Sequence, residues 1–166
     1  MSLKKYLQQF SKEQLIQQII ELNKKYKDVS TYYRFALNPD NRARLDEFKV
    51  KLFACFYPKR GYKLDLKGAR KLVNDFKKLS PGEEVLTDLM LYYVECGVKF
   101  TNDFGDISEP FYTSVESMFG DTCKLIGANN LKPVFDERCL QILDNSSDTG
   151  WGFPDMLNQH YFEWLG

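Results

Sequence analysis

Apolar residues recur every three or four positions along almost the whole chain, the spacing that lays them on one face of an α-helix. Leu3, Tyr6, Leu7 and Phe10 predict a short opening helix. Ser11 followed by Gln14 has the form of a capping box, and the stripe behind it runs Leu15, Ile16, Ile19, Ile20, Leu22 and Tyr26. Asp28 is placed to cap a helix carrying Tyr32, Tyr33, Phe35 and Leu37, which Asn38-Pro39 stops. After Pro39, Leu45, Phe48, Leu52, Phe53 and Phe56 mark one buried side, ended by Pro58. Lys59 to Lys63 is a loop around Gly61, and Asp65 caps a helix with Leu66, Ala69, Leu72, Val73, Phe76 and Leu79.

Ser80-Pro81 opens a long helix whose apolar residues run from Val85 to Phe100, and its wide stripe predicts a central position. Thr101 to Glu109 reads as a loop, and Pro110 sits in the first turn of a helix with Phe111, Val115, Met118, Phe119 and Ile126. Gly127 to Asn130 breaks the pattern. A helix with Leu131, Val134, Phe135, Cys139, Ile142 and Leu143 follows, then turn-rich residues 145–152. The last helix carries Phe153, Met156, Leu157, His160, Tyr161, Trp164 and Leu165. β-branched runs are too short to predict strands. The expectation is an all-α fold, a single compact domain over residues 1–166, with about seven to nine helices in antiparallel pairs. No fixed period of self-similarity announces a repeat array.

With 166 residues and 43% apolar content the chain can close a core, which excludes a disordered or collagen-like polymer. No apolar run reaches the roughly 18 residues that span a bilayer, and the first residues lack a secretory core, so a cytoplasmic protein without a membrane role is expected. Cys55, Cys96, Cys123 and Cys139 form no C-x-x-C pair and lie within helical patterns, as buried reduced thiols do. Net charge is zero but polarised. Residues 1–79 hold 19 lysines and arginines against 8 acids, and residues 80–166 hold 4 against 15.

Candidate chemistry is sparse. Asp103-Phe104-Gly105 spells the kinase magnesium tripeptide without the rest of a kinase. Asp103, Asp106 and Glu109 cluster hard oxygens around a glycine, as a calcium or magnesium site would, and as helix capping by Asp106 or Ser108 also would. His160 reads as a packed boundary residue rather than a base. Trp151 reads as a plug at the core edge, with stacking on a ligand as the other option. Lys59, Arg60, Lys63, Lys67, Arg70, Lys71 and Lys78 form a basic segment, with Lys67, Lys71 and Lys78 on one ridge.

The segments Leu37-Asn38-Pro39, Asp75-Phe76-Lys77-Lys78-Leu79 and Asp88-Leu89-Met90-Leu91-Tyr92-Tyr93-Val94-Glu95 carry a resemblance. So do Phe100-Thr101-Asn102-Asp103-Phe104-Gly105-Asp106, Glu109-Pro110-Phe111-Tyr112 and Gly150-Trp151-Gly152-Phe153. From Ser11 to Trp151 the chain resembles a family of small, all-helical, uncharacterised bacterial proteins of unknown function. The resemblance implies a stand-alone protein, names no activity or cofactor, and points to 101–112 and 150–153 as the places to look.

Three function classes remain. The first is a non-enzymatic helical domain that binds a protein partner or itself, favoured by the charge polarity and the lack of a catalytic constellation. The second is nucleic-acid binding through the basic half, and the third is a metal-assisted enzyme at residues 101–109.

Overall fold

The structure, a computed structural model, describes residues 2–37, 41–59 and 63–166. Nine helices lie among them: α1 (Leu3–Leu7), α2 (Lys12–Lys25), α3 (Lys27–Leu37), α4 (Asn41–Phe56), α5 (Leu66–Lys77), α6 (Glu83–Phe104), α7 (Glu109–Ala128), α8 (Lys132–Ser146) and α9 (Phe153–Leu165). No strand occurs among the described residues, and no helix there is long and apolar enough to cross a membrane. The turn expected at Asn38-Pro39 and the centre of the loop at Gly61 lie outside the described residues, as does the side chain of Phe35. Contacts divide the chain into two compact units, residues 1–40 and 41–166.

Residues 1–40 form a helical pair, α2 packed on α3, preceded by α1. The capping box is present: Ser11 Oγ accepts from Gln14 N–H at 3.2 Å, and Gln14 Oε1 accepts from Ser11 N–H at 2.8 Å. Only Tyr26 separates α2 from α3, so α3 starts at Lys27 and Asp28 lies in its first turn instead of capping it.

Residues 41–166 are three helical hairpins laid side by side. Side-chain partners give their register. In α6 and α7, Thr101 meets Tyr112 and Gly97 abuts Val115, so the two run antiparallel. In α8 and α9, Asp136 accepts from the Tyr161 hydroxyl and Lys132 donates to the Leu165 carbonyl. In α4 and α5, Phe48 packs on Phe76. Between hairpins the order reverses. Lys49 and Phe56 of α4 meet Asp88 and Tyr93 of α6, so these helices are parallel. Asp88 and Asn102 of α6 likewise meet Arg138 and Asn145 of α8. The result is two layers, α4–α6–α8 and α5–α7–α9, with α6 packed against α4, α5, α7 and α8. Gly120 and Gly127, one heptad apart, bring α9 close to α7. A Cβ on Gly120 would lie 2.9 Å from His160 Nδ1, which confirms His160 as a packed boundary residue.

Several boundaries differ from those read in the sequence. Ser80 takes a left-handed φ of 53°, so α6 begins after Gly82 and not at Ser80-Pro81. α6 continues to Phe104 because Lys99 pairs with Asp103 at 2.7 Å and the buried Thr101 hydroxyl bonds the Tyr112 hydroxyl at 2.7 Å. The loop is thereby cut to residues 105–108. α8 likewise extends through Asn145 to Ser146, and Val134 faces outward. Phe53 is not core: Leu45, Leu52 and Phe56 hold the seam, and Phe53, about 100° round the helix from Leu52, stacks on Tyr57 at 4.7 Å.

Cys96, Cys123 and Cys139 are buried, whereas Cys55 is only half-buried. Burial pushes the Cys55 thiol up and raises Cys96 to about 12. A hydrogen bond with Cys139, reinforced by burial, raises Cys123. A thiol reagent added to the native protein at neutral pH should therefore label Cys55 alone, and slowly, with all four reacting after denaturation. Fast labelling of Cys96, Cys123 or Cys139 in the native state would contradict this packing.

Candidate functional site

The places singled out in the sequence meet at one end of the hairpin stack. Asp106, in the link between α6 and α7, accepts from the Tyr112 hydroxyl at 3.1 Å. The same carboxylate packs against Gly150, where a Cβ would lie 2.9 Å from Asp106 Oδ1. The link 105–108 is thus locked to the turn before α9. In that turn Trp151 and Gly152 both adopt left-handed backbone, φ 64° and 66°. A tryptophan in this region costs on the order of 1 kcal/mol or more, and nothing glycine-like excuses it. The strain does not bury the indole. Trp151 remains 60% exposed, lying over Tyr112 at 6.3 Å with the rings 27° apart. The expected plug at the core edge is therefore corrected: the turn geometry presents the ring to solvent.

Trp151 is one end of a chain of touching rings. From Tyr112 it passes through Phe111 to Phe100, and from there to Tyr57 and Phe104. Phe104 is 61% exposed, and Phe53, stacked on Tyr57, is also exposed. The Tyr57 hydroxyl donates to Asp103 at 2.7 Å; burial and this bond push the phenol up. Hydrogen bonds from Lys99 and Tyr57 hold the Asp103 carboxyl below its ordinary value. Phe111 and Tyr112, which link Phe104 to Trp151, are buried, and two exposed carboxylates bond to the ring chain, Asp103 to Tyr57 and Asp106 to Tyr112. Periodicity puts Phe53 on the core stripe because it does not separate a stripe from its flank, while half-buried Tyr57 lies past the last stripe residue and Phe104 falls in the segment read as a loop.

The suggested ion cluster is not assembled. Asp103 belongs to α6 and is held by Lys99 and Tyr57, Asp106 is held by Tyr112, and Glu109 opens α7 beside Pro110. No group of three or more metal-ligating side chains gathers among the described residues. The capping alternative also takes another form. Ser108 occupies the N-cap position of α7 without a side-chain bond, and Asp106 serves Tyr112.

The basic segment is divided by its partners. Arg70 turns inward, where Nε donates to Ser114 Oγ at 3.1 Å and Nη2 donates to the Ser114 carbonyl at 2.7 Å and to Ser117 Oγ. Lys71 and Lys78 both pair with Asp75, which lies between them on the ridge. Lys59, Lys63 and Lys67 are exposed, and Arg60 lies outside the described residues.

A second polar group was not anticipated. Arg138 Nε and Nη2 grip Glu95 at 2.8 and 3.0 Å, Nη1 reaches Asp88 at 2.5 Å, and Lys49 reaches Asp88 at 2.9 Å. Burial alone would raise the Asp88 carboxyl, but the bonds from Lys49 and Arg138 outweigh it and hold it below its ordinary value. Two acids and two bases satisfy one another here, tying α4, α6 and α8 together. The signal available in the sequence was Asp88 and Glu95, the two charges seven residues apart within the mainly apolar stretch 85–98.

By architecture the 41–166 unit is a stack of helical hairpins in which each pair packs on its neighbours, the class to which helical solenoids belong. The chain belongs to a family of unknown function (DUF6155), matched over residues 1–163. Neither a curated protein nor a solved structure matches it.

Proposed function

We propose that the protein is a non-enzymatic recognition module that binds a protein segment on the aromatic surface formed by Tyr57, Phe104 and Trp151. The observation that carries this reading is Trp151, exposed in a strained left-handed turn that Asp106 and Gly150 hold in place. Strain kept in a surface aromatic marks use of that ring. Stacked helical hairpins offer extended surfaces for partner chains. The exposed carboxylates bonded to these rings, Asp103 to Tyr57 and Asp106 to Tyr112, favour an occupant that combines aromatic or aliphatic residues with lysine or arginine.

The test is an array of short peptides mixing lysine or arginine with apolar residues, set beside acidic counterparts, probed with wild type and with W151A. Trp151 should act as a hot spot, so W151A should weaken the best peptides about 30-fold while leaving the melting temperature near wild type. Equal binding by both proteins would overturn the proposal. Oligonucleotide binding that collapses with salt, and on K63E/K67E but not on W151A, would replace it with the phosphate-binding reading.

A further inference from the structure

The helical pair in residues 1–40 lacks an interior of its own. None of its described side chains is buried, and Ile16, Ile19 and Ile20 of α2 are 45%, 39% and 40% exposed. A unit of about 40 residues ordinarily needs a disulfide, a metal or a partner to hold together. The first cysteine in the chain is Cys55, so no disulfide is available within it. No metal-ligating group gathers among the described residues.

The charges beside this apolar face indicate the occupant. Glu13, Ile20 and Lys24 follow one another at i, i+7 and i+11, so an acid and a base flank the isoleucines at opposite ends of the same edge of α2. The pattern is self-complementary under a two-fold axis. If two copies of α2 pack antiparallel with Glu13 of each facing Lys24 of the other, Ile16 of one comes within one residue of level with Ile20 of the other. A parallel pair would set Glu13 against Glu13 and Lys24 against Lys24. We infer that the protein forms a homodimer through antiparallel packing of α2 on α2 of a second copy, so that two α2–α3 pairs complete a four-helix bundle. This inference rests on residues 1–40 alone and is independent of the aromatic surface around Trp151.

The full chain should sediment as a dimer at tens of micromolar and dissociate on dilution. I19K should be monomeric with unchanged helical content. Because I19K could also disturb the pair itself, the charge test is decisive. The two-fold axis doubles every contact, so E13K and K24E should each raise the dimer Kd about tenfold. E13K/K24E together should restore it to within about threefold of wild type. W151A should leave the Kd unaltered. A protein that stays monomeric throughout the concentration range overturns the inference. So does a dimer insensitive to I19K, or one that the double reversal weakens further instead of restoring.

Discussion

Replacing Arg138 with leucine is expected to destabilise the fold by about 3 kcal/mol. Removing one member of a buried ion pair typically costs about 3–5 kcal/mol, because the abandoned partner stays desolvated. The low end applies because the side chains of Asp88, Glu95 and Arg138 keep 26%, 34% and 29% of their accessibility. Lys49 still reaches Asp88 in the variant, but Glu95 loses both bonds from Arg138. The deficit should depend on pH with a definite sign. In the wild type the folded Asp88 carboxyl lies below its ordinary value, so its stabilisation is present above about pH 4 and is lost as the pH falls through the folded value. Without the Arg138 bond the balance at Asp88 shifts toward the burial effect, which favours the protonated acid and relieves the variant in acid. Chemical denaturation at about pH 7 and about pH 4 should therefore show the gap narrowing at the lower pH. K67L, which removes an exposed lysine from α5, should stay within about 0.5 kcal/mol of wild type. A pH-independent deficit would mean that Arg138 serves as packing and not as a counter-ion.

Gly97 should prove as intolerant as a large core residue. It is buried in the middle of α6, and a Cβ there would lie 2.6 and 2.9 Å from the two methyl groups of Val115 on α7. Val115 is itself fully buried and β-branched, so it has little rotameric room to retreat. Helix propensity on its own makes valine no worse than glycine. The sign of the effect therefore separates steric contact from propensity. Gly97→Val should cost about 3 kcal/mol, the upper part of the overpacking range. Val115→Ala should cost about 1–2 kcal/mol through its cavity, and the double variant should be more stable than the sum of the two losses. Additive losses would show that α6 and α7 do not meet at this point.

The behaviour of these two sites follows from different ranges of information. The helices were legible because a 3.6-residue period and a cap are local. Ser11 with Gln14 and Asp65 with the Gly68 amide each close within three residues, and both appear where the spacing put them. Pro110 opens α7 for the same reason. Errors arose where a neighbour in space overrode the local signal. The chain through Thr101 looked like the start of a loop until Tyr112 supplied a partner for its hydroxyl. Phe53 looked like core until Leu52 and Phe56 took the seam.

By itself the sequence determined an all-helical protein, the caps at Ser11 and Asp65, a basic first half and acidic second half, and a family without a known activity. Only the tertiary structure decided which charges meet. Arg138 finds Glu95 and Asp88 from 43 and 50 residues away, Arg70 finds Ser114 from 44, and Asp106 settles against Gly150. Such pairings depend on which hairpin stacks on which and in what register. That register is set by the summed packing of many side chains, with Gly97 allowing α7 to approach α6 and Gly120 and Gly127 allowing α9 to approach α7. The same packing sets Asp106 against Gly150 in the turn before α9, where Trp151 stays exposed.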